Sequence, residues 1–113
     1  MMDEKRTYPH EELVAAMICS MIVKNLSTYC LVRSISLDGA VIEWPLAEEL
    51  PDQLDVGDLV SLGDILSGPR ALFRGDVGRV EWIYKRNIGL HFETLHKESA
   101  EDLRSWLEEQ ELV

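Results

Sequence analysis

The amino-acid sequence predicts an all-β fold with one helix: a six-stranded antiparallel β-barrel packed by a C-terminal α-helix. Three observations carry that expectation. Runs rich in β-branched and aromatic residues recur along the chain, punctuated by turn signals such as Asp38-Gly39 and Ser67-Gly68-Pro69. The clearest helical spacing comes last, where Leu103, Trp106 and Leu107 follow Ser99. A chain of 113 residues with 46% hydrophobic content has room for one core, and closing its sheet removes the exposed edges an open one would leave. The expected organisation is a flexible N-terminal arm over residues 1–10 and a single domain over 11–113.

The arm is polar. Lys5 and Arg6 are its positive charges, His10 follows Arg6 by four residues, and Pro9 keeps Tyr8 out of helical geometry. Residues 13–24 read as the first strand, with β-branched Val14, Ile18, Ile22 and Val23 on two apolar faces. Ala15, Ala16, Met17 and Met21 make a helix the competing reading there, and the β character of everything downstream decides for a strand. Asn25-Leu26-Ser27 is the expected turn into a second strand over 28–36. Asp38-Gly39 then signals a hairpin with a type I′ turn, which needs φ > 0 at both centre positions, and a third strand follows over 40–44.

Residues 45–57 form an acidic connection bearing Glu48, Glu49, Asp52 and Asp55. Nothing nearby would set one carboxylate's pKa above another's, so they read as a solvated loop rather than a catalytic pair. A fourth strand is expected over 58–65 and a fifth over 70–84, kinked or bulged around Gly75 or Gly78. In the fifth, Val80, Trp82 and Tyr84 alternate against Arg79, Glu81 and Ile83. After the turn Lys85-Arg86, a sixth strand over 87–93 points Ile88, Leu90 and Phe92 inward and His91 outward. Ser99 and Asp102 resemble a capping box, and one apolar stripe of the helix behind them faces the barrel while Glu98, Glu101, Glu108, Glu109 and Glu111 cover the other side.

Charge and composition exclude several functions. A formal net charge of −10 and a pI near 4.6 repel phosphate backbones, which argues against general DNA or RNA binding. No apolar run reaches the roughly 18 residues of a membrane helix and no signal peptide is evident, so a soluble cytoplasmic protein is expected. Cys19 and Cys30 fit neither a CxxC nor a metal spacing; two reduced core thiols are expected, with a disulfide as the alternative if their strands pair. His91 and His96 lack a ligand spacing that works on a strand. With no nucleophile–base pair, metal cluster or phosphate loop, the chain does not read as an enzyme, and no cofactor is expected.

The stretch that reads as a binding site is Ser34-Ile35-Ser36-Leu37-Asp38-Gly39. Ser34 and Ser36 sit two apart, so an extended strand points both hydroxyls to one side. Gly39 has no Cβ, so a ligand or a second backbone can approach closely. Hydroxyls beside a bare backbone suit a polar, planar ligand; the plainer alternative is two serines capping a turn.

In order, these features resemble the PilZ domain family, small bacterial β-barrel receptors for cyclic di-GMP. The family's motifs are RxxxR on an arm, [D/N]xSxxG at the end of the second strand, and GxVxW-like and G-[LIV]-x-F strands before a C-terminal helix. Gly78-Arg79-Val80-Glu81-Trp82 and Gly89-Leu90-His91-Phe92 match the last two strands, Leu103-Arg104-Ser105-Trp106-Leu107 resembles the helix, and Ser36 and Gly39 match the second motif. The resemblance runs from about Lys5 to Glu109. Two positions depart from the pattern: His10 stands where the family has its second arginine, and Ser34 where it has Asp or Asn. The resemblance implies a site of Arg6, His10, Ser34, Ser36 and Gly39, helped by Lys5 and Arg33, which holds cyclic di-GMP and signals to a downstream protein. The departures support a different function, a divergent adaptor that keeps the barrel and docks to another protein. A homo-oligomer is compatible with the sequence.

Overall fold

The computed structural model describes residues 9–45, 54–65, 76–93 and 97–113. Six strands and one helix follow in chain order: β1 (Glu11–Val23), β2 (Leu26–Ser36), β3 (Gly39–Glu43), β4 (Leu59–Ile65), β5 (Asp76–Tyr84), β6 (Asn87–Phe92) and α1 (Ala100–Glu109). Every strand pair is antiparallel, and the sheet closes into a barrel in the order β1-β2-β3-β6-β5-β4, with β1 pairing back to β4. The expected fold class is the one observed. The expected arm falls outside the described residues except for Pro9 and His10, and so do residues 70–75 of the expected fifth strand.

Two turns differ from expectation. The β1–β2 hairpin turns on Lys24 and Asn25 alone, with φ of 48° and 67°, the left-handed pair that a type I′ turn requires. Leu26 and Ser27, expected in the turn, already belong to β2. The β2–β3 hairpin turns on Leu37 and Asp38, not on Asp38 and Gly39, and neither these two nor Gly39 is at positive φ. Gly39 is the first residue of β3, paired with Ser36. Its bare Cα answers a packing demand: a Cβ there would stand 2.7 Å from the carbonyl oxygen of Leu90 on β6.

The barrel interior is filled from alternate positions: Met17, Cys19, Met21 and Val23 of β1, Cys30, Val32 and Ile35 of β2, Ala40 and Ile42 of β3, and Ile88, Leu90 and Phe92 of β6. The expected inward set on β6 is thus buried. On β1 only one face is: Ile22, expected in a second apolar face, is exposed. On β5 the register with β4 runs unbroken through Gly78, and the irregularity among the described residues lies between Val80 and Trp82; Gly75, the other expected position, lies outside them. The extra residue there breaks the alternation. Val80 is buried, whereas Trp82 and Tyr84, expected on the same face as Val80, are 42% and 64% exposed.

Cys19 and Cys30 are direct cross-strand partners, buried in the barrel as reduced thiols. The hydrogen bond that the Cys30 thiol makes to Cys19, and then burial, push that thiol well up from its ordinary value. Helix α1 is capped by Ser99, whose Oγ accepts the Asp102 N–H at 3.1 Å. It buries Leu103 and Leu107, while Trp106 packs only partly against the core, with the Lys97 ammonium 5.1 Å from its ring. The register of β1 against β2 slips between Glu12 and Met17, and the C-terminal segment docks there. Val14 N–H donates to Leu112 O at 2.7 Å, and Arg104 reaches Glu11 at 2.9 Å. No described helix is long and apolar enough to cross a membrane.

Candidate functional site on the outer face of β2 and β3

A bulge in β2 sets which way its serines face. Val32 pairs with Ile42 and Ser34 with Val41, so two steps along β2 match one along β3 and Arg33 is the extra residue. Past it, Ile35 pairs with Ala40 and Ser36 with Gly39. Cross-strand partners share a face. Ile35 therefore points inward with Ala40 and Ile42, all three fully buried, and Ser34 and Ser36 point outward with Val41 and Gly39. Both serines thus share one side, as expected. Although on the outer face, they are only 5% and 1% exposed.

Each hydroxyl has a partner. Ser34 Oγ lies 3.2 Å from His10 Nδ1, which brings the residue after Pro9 onto the strand. Ser36 Oγ donates to Asp38 Oδ1 at 3.2 Å, an interaction within the turn. Asp38 also joins the hairpin to β6: its carbonyl accepts the Phe92 N–H at 2.7 Å, and its other carboxylate oxygen stands 3.6 Å from His91 Nδ1.

Of the expected site residues, the structure brings together His10, Ser34, Ser36 and Gly39. Arg33 is drawn to Glu43, 3.5 Å away, toward the opposite end of β3 from Gly39. Lys5 and Arg6 lie outside the described residues.

Residues of β5 and β6 share the face. Gly39 pairs with His91, and His91 pairs with Arg79, so a row running Ser36, Gly39, His91, Arg79 crosses four strands. In the neighbouring row Ser34, Val41 and Gly89 lead to Trp82, whose indole lies over Gly89 so closely that a Cβ on that glycine would overlap the ring. The sequence shows His91 facing out, but the match of β3 to β6 that sets it beside Gly39 depends on residues some fifty positions apart. The face therefore carries two buried hydroxyls, an imidazole on the arm side, a buried bare backbone, and a second imidazole beside a guanidinium. Hydroxyls and flat rings suit a base; the guanidinium suits a phosphate. Asp38 and Glu93, the latter 3.7 Å from Arg79, set carboxylates among them.

Compared with known proteins, the chain matches no family model and no curated protein. Among the described residues no group of three or more His, Cys, Asp or Glu could hold a metal ion.

Proposed function

We propose that this protein is a PilZ-like receptor that binds cyclic di-GMP on the outer face of β2 and β3 and relays its presence to a partner protein. The observation that carries this reading is the contact of His10 with Ser34, beside Ser36 and Gly39. It joins the end of the basic arm to the hydroxyl-bearing strand. Four residues of chain span at most about 14 Å, so Arg6 is tethered within reach of the same face. Guanidinium is a rigid fork of donors that fits a phosphate or the O6 and N7 edge of guanine. Binding would fix the arm over the face, and that ordering is the signal a partner reads.

Calorimetric titration with cyclic di-GMP tests this. The expected result is saturable heat in the wild type that is abolished in Arg6→Ala, with the melting temperature of the free protein unchanged. Binding that survives Arg6→Ala would remove the arm from the clamp.

The adaptor function has its own support. Ser34 and Ser36 are buried and already hydrogen-bonded, and Arg33 is held by Glu43. An imidazole at position 10 cannot make the bidentate bond of a guanidinium, a deficit of roughly 1–3 kcal/mol, enough to weaken a micromolar site ten- to hundredfold. The double substitution His10→Arg, Ser34→Asp separates the two functions. It should bind more tightly than the wild type if the face is a nucleotide site; silence of both proteins leaves docking to a protein as the function.

A further inference from the structure

We propose that His91 and Arg79 form a second anion contact on this face, which takes a phosphodiester of the ligand. The inference rests on the nucleotide reading above and extends it to residues on β5 and β6. Gly39, His91 and Arg79 are successive cross-strand partners, so their Cα atoms lie in a line with steps of about 5 Å. All three belong to the outward set, because the neighbouring pairs Ala40–Leu90 and Leu90–Val80 fill the interior. Gly39 is itself buried and puts no side chain between Ser36 and His91. A ligand lying along the exposed part of the row meets the His91 ring on one strand and the Arg79 guanidinium on the next.

The chain has 11 Lys and Arg against 21 Asp and Glu, so its overall field repels a dianion. An anionic ligand must therefore be met by cations at the site itself. His10 stands in for an arginine on one side of the hydroxyls, and Arg79 supplies a guanidinium on the other. Its present partner holds it loosely: Glu93 is highly exposed and 3.7 Å away, too far for a bidentate pair. A phosphate, with oxygens spaced for two parallel N–H bonds, displaces such a partner. His91 sits 3.6 Å from Asp38, so a phosphate bond there uses the ring nitrogen that Asp38 does not face.

The experiment follows the amide resonances of Gly39, His91 and Arg79 during titration with cyclic di-GMP, alongside calorimetry of Arg79→Ala, Arg79→Lys and His91→Gln. The expected result is shifts at all three amides, affinity lowered about tenfold or more in Arg79→Ala, less in Arg79→Lys, and less again in His91→Gln. Melting temperatures should stay within a degree or two of wild type, since Arg79 is exposed and His91 lies at the barrel surface outside the core. Wild-type affinity in Arg79→Ala overturns the inference while leaving the nucleotide reading in place. If cyclic di-GMP gives no heat with any form, inorganic pyrophosphate is the second probe. Shifts at the same amides, abolished in Arg79→Ala, then keep the anion site and discard the nucleotide; no shift with either ligand overturns both.

Discussion

Gly39 opens β3, Trp44 follows its last residue, and the two respond to substitution in opposite ways. A Cβ on Gly39 meets the Leu90 carbonyl at 2.7 Å and Ser36 Oγ at 3.3 Å, so backbone must move to admit one. Gly39→Val should destabilise by about 1–3 kcal/mol in chemical denaturation and weaken any binding on the face, because the strain falls on the pair that presents Ser36. A variant as stable as wild type would mean β3 and β6 are not in this register. Trp44 is buried, yet its Nε1 finds no acceptor among the described residues. Trp44→Phe removes roughly 40 Å³ and so costs about 1 kcal/mol as a cavity, but it also removes a buried orphan donor worth about 1–3 kcal/mol. Near-neutral stability is expected, in contrast with Leu107→Ala, which should cost about 2–5 kcal/mol. The need for a bare Cα at Gly39 was legible from the sequence. Which backbone approaches it was not, because that depends on β6, far away in the chain.

Strands and helix were legible to within a few residues, and the errors collect at the bulges. The inward set Ile88, Leu90 and Phe92 follows from simple alternation because β6 is regular. Trp82 and Tyr84 were misplaced because one extra residue near Glu81 reverses the parity, and nothing local in the sequence marks it. The same device at Arg33 gives a test. Deleting Arg33 preserves the pairs Val32–Ile42 and Ser34–Val41, so it should cost within about 2 kcal/mol. Deleting Leu31, inside the regular ladder, sends every residue on one side of the cut to the wrong face and should abolish cooperative unfolding. Equal effects would mean Arg33 is not the extra residue. At the β1–β2 turn, both central residues already hold positive φ without glycine. Replacing Lys24-Asn25 by Asn-Gly should raise stability by about 0.5–1 kcal/mol, even without the partly exposed Lys24–Asp58 pair at 3.5 Å.

At the scale of the molecule, barrel and helix were legible because periodicity and turn residues agree along most of the chain. The assembled site was only half legible, since Arg79 and His91 reach it through closure rather than through any motif. Closure also hides the cysteines: Cys19 and Cys30 face each other inside the barrel. Thiol reagents attack thiolates, and the hydrogen bond with Cys19 and burial both disfavour the Cys30 thiolate. Labelling at pH 8 should be far slower in the native protein than in denaturant, and fast native labelling would refute the buried pair. The sign of the linkage follows: with the folded value raised, this thiol's contribution is full below about pH 8.5 and is lost as pH climbs above it. The stability difference between wild type and Cys30→Ala should therefore narrow above about pH 9. Finally, β1 draws its backbone partners from β2, from β4 and from the carbonyl of Leu112. It leaves the ribosome before any of them and is the last strand to be completed, waiting through roughly 5–20 s of translation for its final acceptor. Until then the stretch of β1 around Val14 offers an open amide to whatever strand comes near, and a nascent chain stalled before Leu112 is the form most exposed to mispairing there.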